Sequence, residues 1–335
     1  VLLDNNEVEF AVLECARGGI LRSGLAFDHC NVSIVTNVTE DHIGLADINS
    51  VEQLARVKSV VPASTFDEGY AVLNAADPLV LRMRRDLDCH IVLFAIDGTR
   101  SEMVKHIHSG GTAAFVTDDM FCIAHCGQIK PVINVAAVPL TFNGTASVMV
   151  QNVLAAIAAS VVSNFSIEHI ASALRTFYPS VAQTPGRLNT FQLKKGRLIL
   201  DYVHNTGGFA ELIPFIKQQE ARKRTGIIYA TGDRRPEDIR LIGVYAAKMF
   251  DNIIINNEHE QRGVSPIELT NLLLEGIREV DETLPVMILP DEKSAITYAI
   301  EQAEEDELVF ASINAIKESI ELVNNLIKDK QRMKL

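Results

Sequence analysis

The residues best suited to chemistry in this 335-residue chain stand directly after short apolar, β-branched runs. Glu14 follows the run at 9–13, and Thr36-Asn37-Val38-Thr39-Glu40-Asp41-His42 closes the run at 32–36. Asn74-Ala75-Ala76-Asp77-Pro78 follows 70–73, Asp201-Tyr202-Val203-His204-Asn205 follows 197–200, and Thr231-Gly232-Asp233-Arg234-Arg235 closes the run at 226–230. Open parallel sheets bind ligands beyond the carboxyl ends of their strands, so strand ends this rich in carboxylates, imidazoles, amides and guanidinium groups point to a site for a charged ligand. Glu14 and His42 offer a carboxylate oxygen and an imidazole, a pair suited to a divalent cation that keeps some of its waters, such as Mg2+. Arg187 and Arg234 carry planar forks that match phosphate. Taken singly, each residue also has a structural reading. Glu14 can be a carboxylate near a helix N-terminus, His42 a loop imidazole, Lys58 a stem laid along an apolar helix, and Arg187 a surface arginine after a turn.

Strands and helices in alternation are needed to position these groups. The sequence predicts strands at 9–13, 32–36, 70–73 and 90–94. It predicts helices at 50–61, with Ser50 as N-cap and Pro62 just past the end, and at 78–86. That alternation predicts an α/β fold with a mostly parallel sheet. Three short runs at 113–117, 122–125 and 128–132 predict a small antiparallel meander appended to it, followed by helices at 148–162 and 166–176. Two prolines and a glycine between 178 and 186 predict a linker. Beyond it the alternation restarts, with strands at 197–201, 226–230, 252–256, 286–289 and 308–311 and helices between them, which predicts a second, Rossmann-like α/β domain. The expected division is therefore 1–180 and 181–335.

Composition narrows the function classes. Hydrophobic residues at 47% and charged residues at 22% are globular values, so the chain can bury a core. With 31 basic against 43 acidic residues the net charge is −12, and no basic cluster suggests nucleic acid as a partner. The longest apolar stretch, 148–162, is broken by Gln151 and Asn152 and is too short for a bilayer, so no membrane partner is expected either. Five cysteines without a CxxC pair predict bystander thiols and a cytoplasmic location.

Taken in order, Leu13-Glu14, Thr36-Asn37-x-x-x-Asp41-His42, Lys58, Asn74-Ala-x-Asp77-Pro78, Gln151-Asn152, Gly186-Arg187-Leu188-Asn189, Asp201-Tyr202-x-His204-Asn205 and Gly232-Asp233-Arg234 resemble the Mur ligase superfamily of ATP-dependent amide ligases. More narrowly, Glu14-Cys-Ala-Arg-Gly-Gly-Ile-Leu-Arg22, Pro185-Gly-Arg-Leu-Asn189 and Gly232-Asp-Arg-Arg-Pro-Glu-Asp-Ile-Arg240 resemble the C-terminal half of the cyanophycin synthetase family. The resemblance implies a Mur ligase central domain followed by the Mur ligase C-terminal domain. It implies Mg2+ at Glu14 and His42, and catalytic roles for His42 and for Lys58, which is carbamylated in many Mur ligases to bridge a second Mg2+. It also implies ATP contacts at Asn152, Arg187, Asp201, His204, Asn205 and Arg234, and the incoming amino acid at Arg262. The implied reaction activates a side-chain carboxyl of a poly-aspartate backbone as an acyl phosphate, which the α-amino group of arginine then attacks. Upstream domains of the same protein and a homo-oligomer are the implied partners.

Three departures leave alternatives open. No GxxxxGK[ST] phosphate loop occurs, and the chain begins with Val1, so it is expected to be part of a longer protein and to ligate nothing alone. Thr206 stands where the family usually has proline, and Cys15 where a small hydroxyl residue is usual. Another Mur-type amide ligase, or a non-catalytic Mur-like module, therefore stays beside the arginine-adding reading.

Overall fold

The computed structural model describes residues 5–39, 48–257 and 264–332. The first sheet has the order β1 (Cys30–Val35), β2 (Thr65–Asn74), β3 (His90–Asp97), β4 (Thr112–Thr117), β5 (Met120–His125) and β6 (Gln128–Asn134). β1 to β4 are parallel and β4 to β6 antiparallel, which is the expected sheet with its meander. Side chains alternate across it as the two-residue period of a strand requires. A short helix, α1 (Arg17–Ser23), precedes β1, and Ala71, Leu73, Leu93 and Ala95 face α2 (Val51–Ala63), α3 (Pro78–Met83) and α4 (Ser101–His108). Val72, Val92 and Phe94 face α5 (Ser147–Val162), which buries eight of its residues, and α6 (Ile167–Thr176) packs behind.

The second sheet runs β11-β10-β9-β12-β8-β7, comprising β7 (Asn189–Gln192), β8 (Gly196–Asp201), β9 (Lys223–Ile228), β10 (Asn252–Asn256), β11 (Val286–Leu289) and β12 (Glu307–Ser312). All neighbours are parallel except β7, an antiparallel edge. One face is covered by α7 (Thr206–Gln218), α8 (Pro236–Met249) and α9 (Pro266–Val280), the other by α10 (Glu292–Gln302) and α11 (Ile316–Arg332). α8 and α9 touch so closely that a Cβ on Gly276 would collide with the Arg240 carbonyl, so only glycine fits that crossing. The two sheets share one apolar cluster through α5 and α7, where Phe142 meets Phe215 edge-on at 5.2 Å and Ser147 Oγ donates to Glu211 Oε2 at 2.9 Å.

Two expectations need correction, and one strand was missed. The run at 9–13 forms no strand: Phe10, Val12 and Leu13 are 60%, 84% and 42% exposed, and only Phe10 finds a ring partner, Phe165 at 5.8 Å. Strand propensity reflects packing against neighbours more than backbone preference, and among the described residues this run has no strand beside it. Helix α2 continues through Pro62 to Ala63. Its start is the expected one, with Ser50 and Gln53 forming a reciprocal capping box. Strand β7 was not predicted at all, because its four residues read as the tail of a turn motif.

Candidate functional site

In the first sheet the strand ends are drawn together by side chains that the motifs carry. Asn74, the last residue of β2, donates from Nδ2 to the Thr36 carbonyl at 2.8 Å and to Gln151 Oε1 at 3.1 Å, and accepts from the Ala76 N–H at 2.8 Å. Asp77 caps α3 through Oδ1, accepting from the Leu79 and Val80 N–H groups, while its Oδ2 accepts from the Val38 N–H at 2.6 Å. Lys58 reaches from α2 to donate Nζ to the Asn37 carbonyl at 2.8 Å. Amide, carboxylate and ammonium thus converge on one segment, 36–38, just beyond β1.

In the second sheet the turn at 186–189 is built around Asn189, which is 1% exposed. Its Oδ1 accepts from the Gly186 N–H at 2.7 Å, and its Nδ2 donates to the Thr184 carbonyl at 2.8 Å. Gly186 and Leu188 both have positive φ, +73° and +47°, a strained path for leucine that these bonds hold in place. The Leu188 N–H then donates to Asp201 Oδ2 at 2.9 Å, tying the turn to the end of β8. Burial pushes the Asp201 carboxyl up to about 6, against the opposing pull of the Leu188 N–H, the Arg187 guanidinium and the Val203 N–H. Arg187 itself is exposed and lies over the Tyr202 ring, 5.5 Å from its centroid. His204 packs edge-on against Tyr202 and bonds through Nδ1 to the Tyr202 carbonyl at 2.9 Å, so Nδ1 carries the proton in this arrangement. Asn205 caps α7 by accepting from the Gly208 N–H at 2.8 Å.

The two sheets meet at this point. A Cβ placed on Gly207, in the first turn of α7, would lie 3.3 Å from Thr39 Cβ. The structure therefore brings Asn205 and the α7 N-terminus against the segment that Lys58, Asn74 and Asp77 hold. Amide N–H groups at a helix start and nearby cations suit a phosphate-bearing ligand. Arg234 follows β9 in a turn where Thr231 Oγ1 donates to Asp233 Oδ1 at 2.6 Å, and its Nε and Nη1 are buried. Asn152 is exposed on α5, with only a 3.9 Å approach of Nδ2 to Met149 Sδ. His42 and Arg262 lie outside the described residues.

Glu14 is exposed on a segment without regular structure. Among the described residues, no group of three His, Cys, Asp or Glu side chains converges to hold a metal ion. The described residues alone do not assemble a Mg2+ site. All five cysteines are free thiols, and burial raises Cys15, Cys89 and Cys122 above the usual thiol range. Among the described residues, no helix is long and apolar enough to cross a membrane. Sequence reasoning missed Asn256, which is 3% exposed at the end of β10 with neither amide atom hydrogen-bonded among the described residues. An asparagine closing an Ile-Ile-Ile strand was the available signal.

Residues 2–160 match the Mur ligase middle domain, and residues 186–312 match the Mur ligase glutamate ligase domain. The chain belongs to the Mur ligase family. It is 38% identical over 323 residues to cyanophycin synthetase of Synechocystis sp., covering 96% of this chain and 37% of that protein. The corresponding protein of Crocosphaera subtropica is 39% identical over 325 residues, covering 97% and 37%. The chain thus spans little more than a third of the length of these relatives. The UDP-N-acetylmuramoyl-L-alanyl-D-glutamate--2,6-diaminopimelate ligase of Geobacillus kaustophilus is 27% identical over 310 residues, covering 90% and 59%. Among solved structures, E. coli FolC in complex with DHPP and ADP shares the fold, with a TM-score of 0.63 at 16% identity, covering 88% of this chain and 62% of that one.

Proposed function

We propose that this chain supplies the ATP-dependent amide-ligating part of a longer enzyme, which joins arginine to the side-chain carboxyls of a poly-aspartate backbone. The observation that carries the ligase reading is the approach of Gly207 to Thr39, which sets the α7 N-terminus against the strand end held by Lys58, Asn74 and Asp77. Choosing arginine and poly-aspartate rests on identity to cyanophycin synthetases along nearly the whole chain.

In this reading ATP lies between the two sheets. Arg187 lies over the Tyr202 ring and offers its fork to phosphate, Asn205 and the α7 amides face the same anion, and His204 stands beside them. ATP supplies a phosphoryl group that makes the carboxyl reactive, and the residues here hold and orient the reactants for its transfer. Glu14 and His42 are the proposed Mg2+ ligands. Lys58 is the proposed carbamylation position, and a carbamylated Nζ keeps one N–H for the Asn37 carbonyl. Arg262 is the proposed contact of the incoming amino acid. The test is ATP-dependent incorporation of labelled arginine into an aspartate primer by the intact protein, with lysine and diaminopimelate as competing amino acids. Preferential arginine incorporation supports the reading. Preference for another amino acid replaces the substrate while keeping the ligase, and ATP-independent or absent incorporation overturns both.

A further inference from the structure

At the end of the second sheet remote from the candidate ATP site lies a cleft of about 420 Å³, lined by Gln192, Arg197, Glu220, Arg222, Asp306 and Glu307 among others. Gly196 begins β8 and Asp201 ends it, so five strand steps put the cleft about 17 Å from Asp201. The charges around it fall into two sets. Glu307 is buried and fully engaged: Thr225 Oγ1 donates to Oε1 at 2.5 Å, the Glu304 N–H donates to Oε2 at 2.7 Å, and Lys223 stands 3.8 Å away. Arg197 is anchored by Nη2 on the Glu220 carbonyl at 2.8 Å.

Arg222, Asp306 and the Glu220 carboxylate form the other set. All three are exposed, and among the described residues none of these side chains makes a hydrogen bond or an ion pair within 4 Å, although the Arg222 charge acts at longer range on the Glu304 carboxylate. Arg222 and Asp306 are nevertheless neighbours in the backbone, since the Arg222 N–H donates to the Asp306 carbonyl at 2.9 Å. Asp306 has φ +58°, and the Arg222–Asp306 backbone bond ties this turn to the start of β9. Opposite charges held on one rim without closing on each other fit a ligand that brings its own charges of both signs.

We infer that this cleft binds a zwitterion, taking a carboxylate at Arg222 and a guanidinium or ammonium group at Asp306 and Glu220. Two sources share that chemistry: a free basic amino acid, and a peptide unit carrying a carboxylate beside a basic side chain. The peptide source rests on the proposed ligase reaction, whose product would carry such units; the cleft itself does not. As an anchoring site so far from the reacting end, it would hold product or primer while the distal end turns over.

The test is calorimetric titration of the 335-residue chain at low salt without nucleotide, using β-aspartyl-arginine, free arginine, acetate and guanidinium as separate probes. Saturable binding of a zwitterion, with neither acetate nor guanidinium saturating, is expected. Arg222→Ala and Asp306→Asn should each weaken it about tenfold. Both are exposed positions, and an unchanged thermal midpoint confirms that each variant is folded. Tighter binding of the dipeptide than of arginine selects the peptide source, and the reverse selects the free amino acid. No saturation at tens of millimolar, or saturation that survives both substitutions, overturns the site. Arg187→Ala leaves this binding intact, and Arg222→Ala keeps ATP-dependent turnover at saturating substrate, so failure here and failure of the ligase reading give different results.

Discussion

Residues 9–14 and residues 185–189 are both short motifs that lead into candidate site side chains, and the fold treats them in opposite ways. The second is closed by its own hydrogen bonds. Asn189 is buried, bonds backbone on both sides of the turn, and through Leu188 links it to Asp201. The first leaves Val12 84% exposed and carries Glu14 into solvent. A motif becomes a preorganised site only where the chain around it satisfies its polar groups and covers its apolar ones. The turn at 186–189 beside the second sheet meets that condition. The carboxylate expected to bind metal from the first sheet does not meet it among the described residues.

The contrast can be broken most forcefully at Asn189. Asn189→Ala strands the buried Gly186 N–H and leaves the half-buried Thr184 carbonyl without its donor, and should destabilise the chain by about 3 kcal/mol in urea denaturation. A loss under about 1 kcal/mol would mean that the turn is not held as described.

A similar magnitude is expected from pH. The Asp201 carboxyl is raised from 3.8 to about 6 in the folded chain, so the folded state favours its protonated form. Its stabilising contribution is fully present below about pH 4 and is lost as pH rises through about 6, a change of roughly 3 kcal/mol. Denaturation at a series of pH values should show this decline, and Asp201→Asn, which cannot titrate, should flatten it.

Asp77→Ala removes the cap of α3 and the bond to the Val38 N–H, which should cost about 1–2 kcal/mol. Because Asp77 pins the segment beyond β1, amide exchange at Val38 should accelerate in that variant more than exchange in β3. The smallest effect is predicted at the open motif. Val12→Ser should change stability by less than about 0.5 kcal/mol, since the side chain has almost nothing to lose. A larger loss would show that 9–13 docks as the strand its sequence suggests.

The alternation of runs made most of the fold legible. Apart from β7, the strands of both sheets, the meander and the long helices lie where periodicity, caps and turn residues put them, because each is packed against a neighbour that rewards its pattern. Strand 9–13 was misread for the complementary reason: its residues are right for a strand, but periodicity carries no information about a pairing partner. Pro62 was taken as a stop, yet proline is tolerated in the last turn of α2 once the cap at Ser50 and the buried Leu54 and Ala55 fix the helix. In the site, Asn74 and Asp77 were legible as motif residues, but their roles as ties between strand ends were not, since those bonds join positions nearly forty residues apart. Asn256 gave no chemical signal in sequence beyond its polarity.

The central claim is that the turn at 186–189 and the α7 N-terminus form one wall of an ATP site. It is tested most directly by the KM for ATP of the intact protein carrying Arg187→Ala, measured at saturating amino acid and primer. Loss of a charge-assisted phosphate contact should raise that KM about tenfold or more while leaving the KM for the amino acid unchanged. An unchanged KM for ATP, with the loss confined to the amino acid, would place Arg187 elsewhere in the reaction and contradict the account.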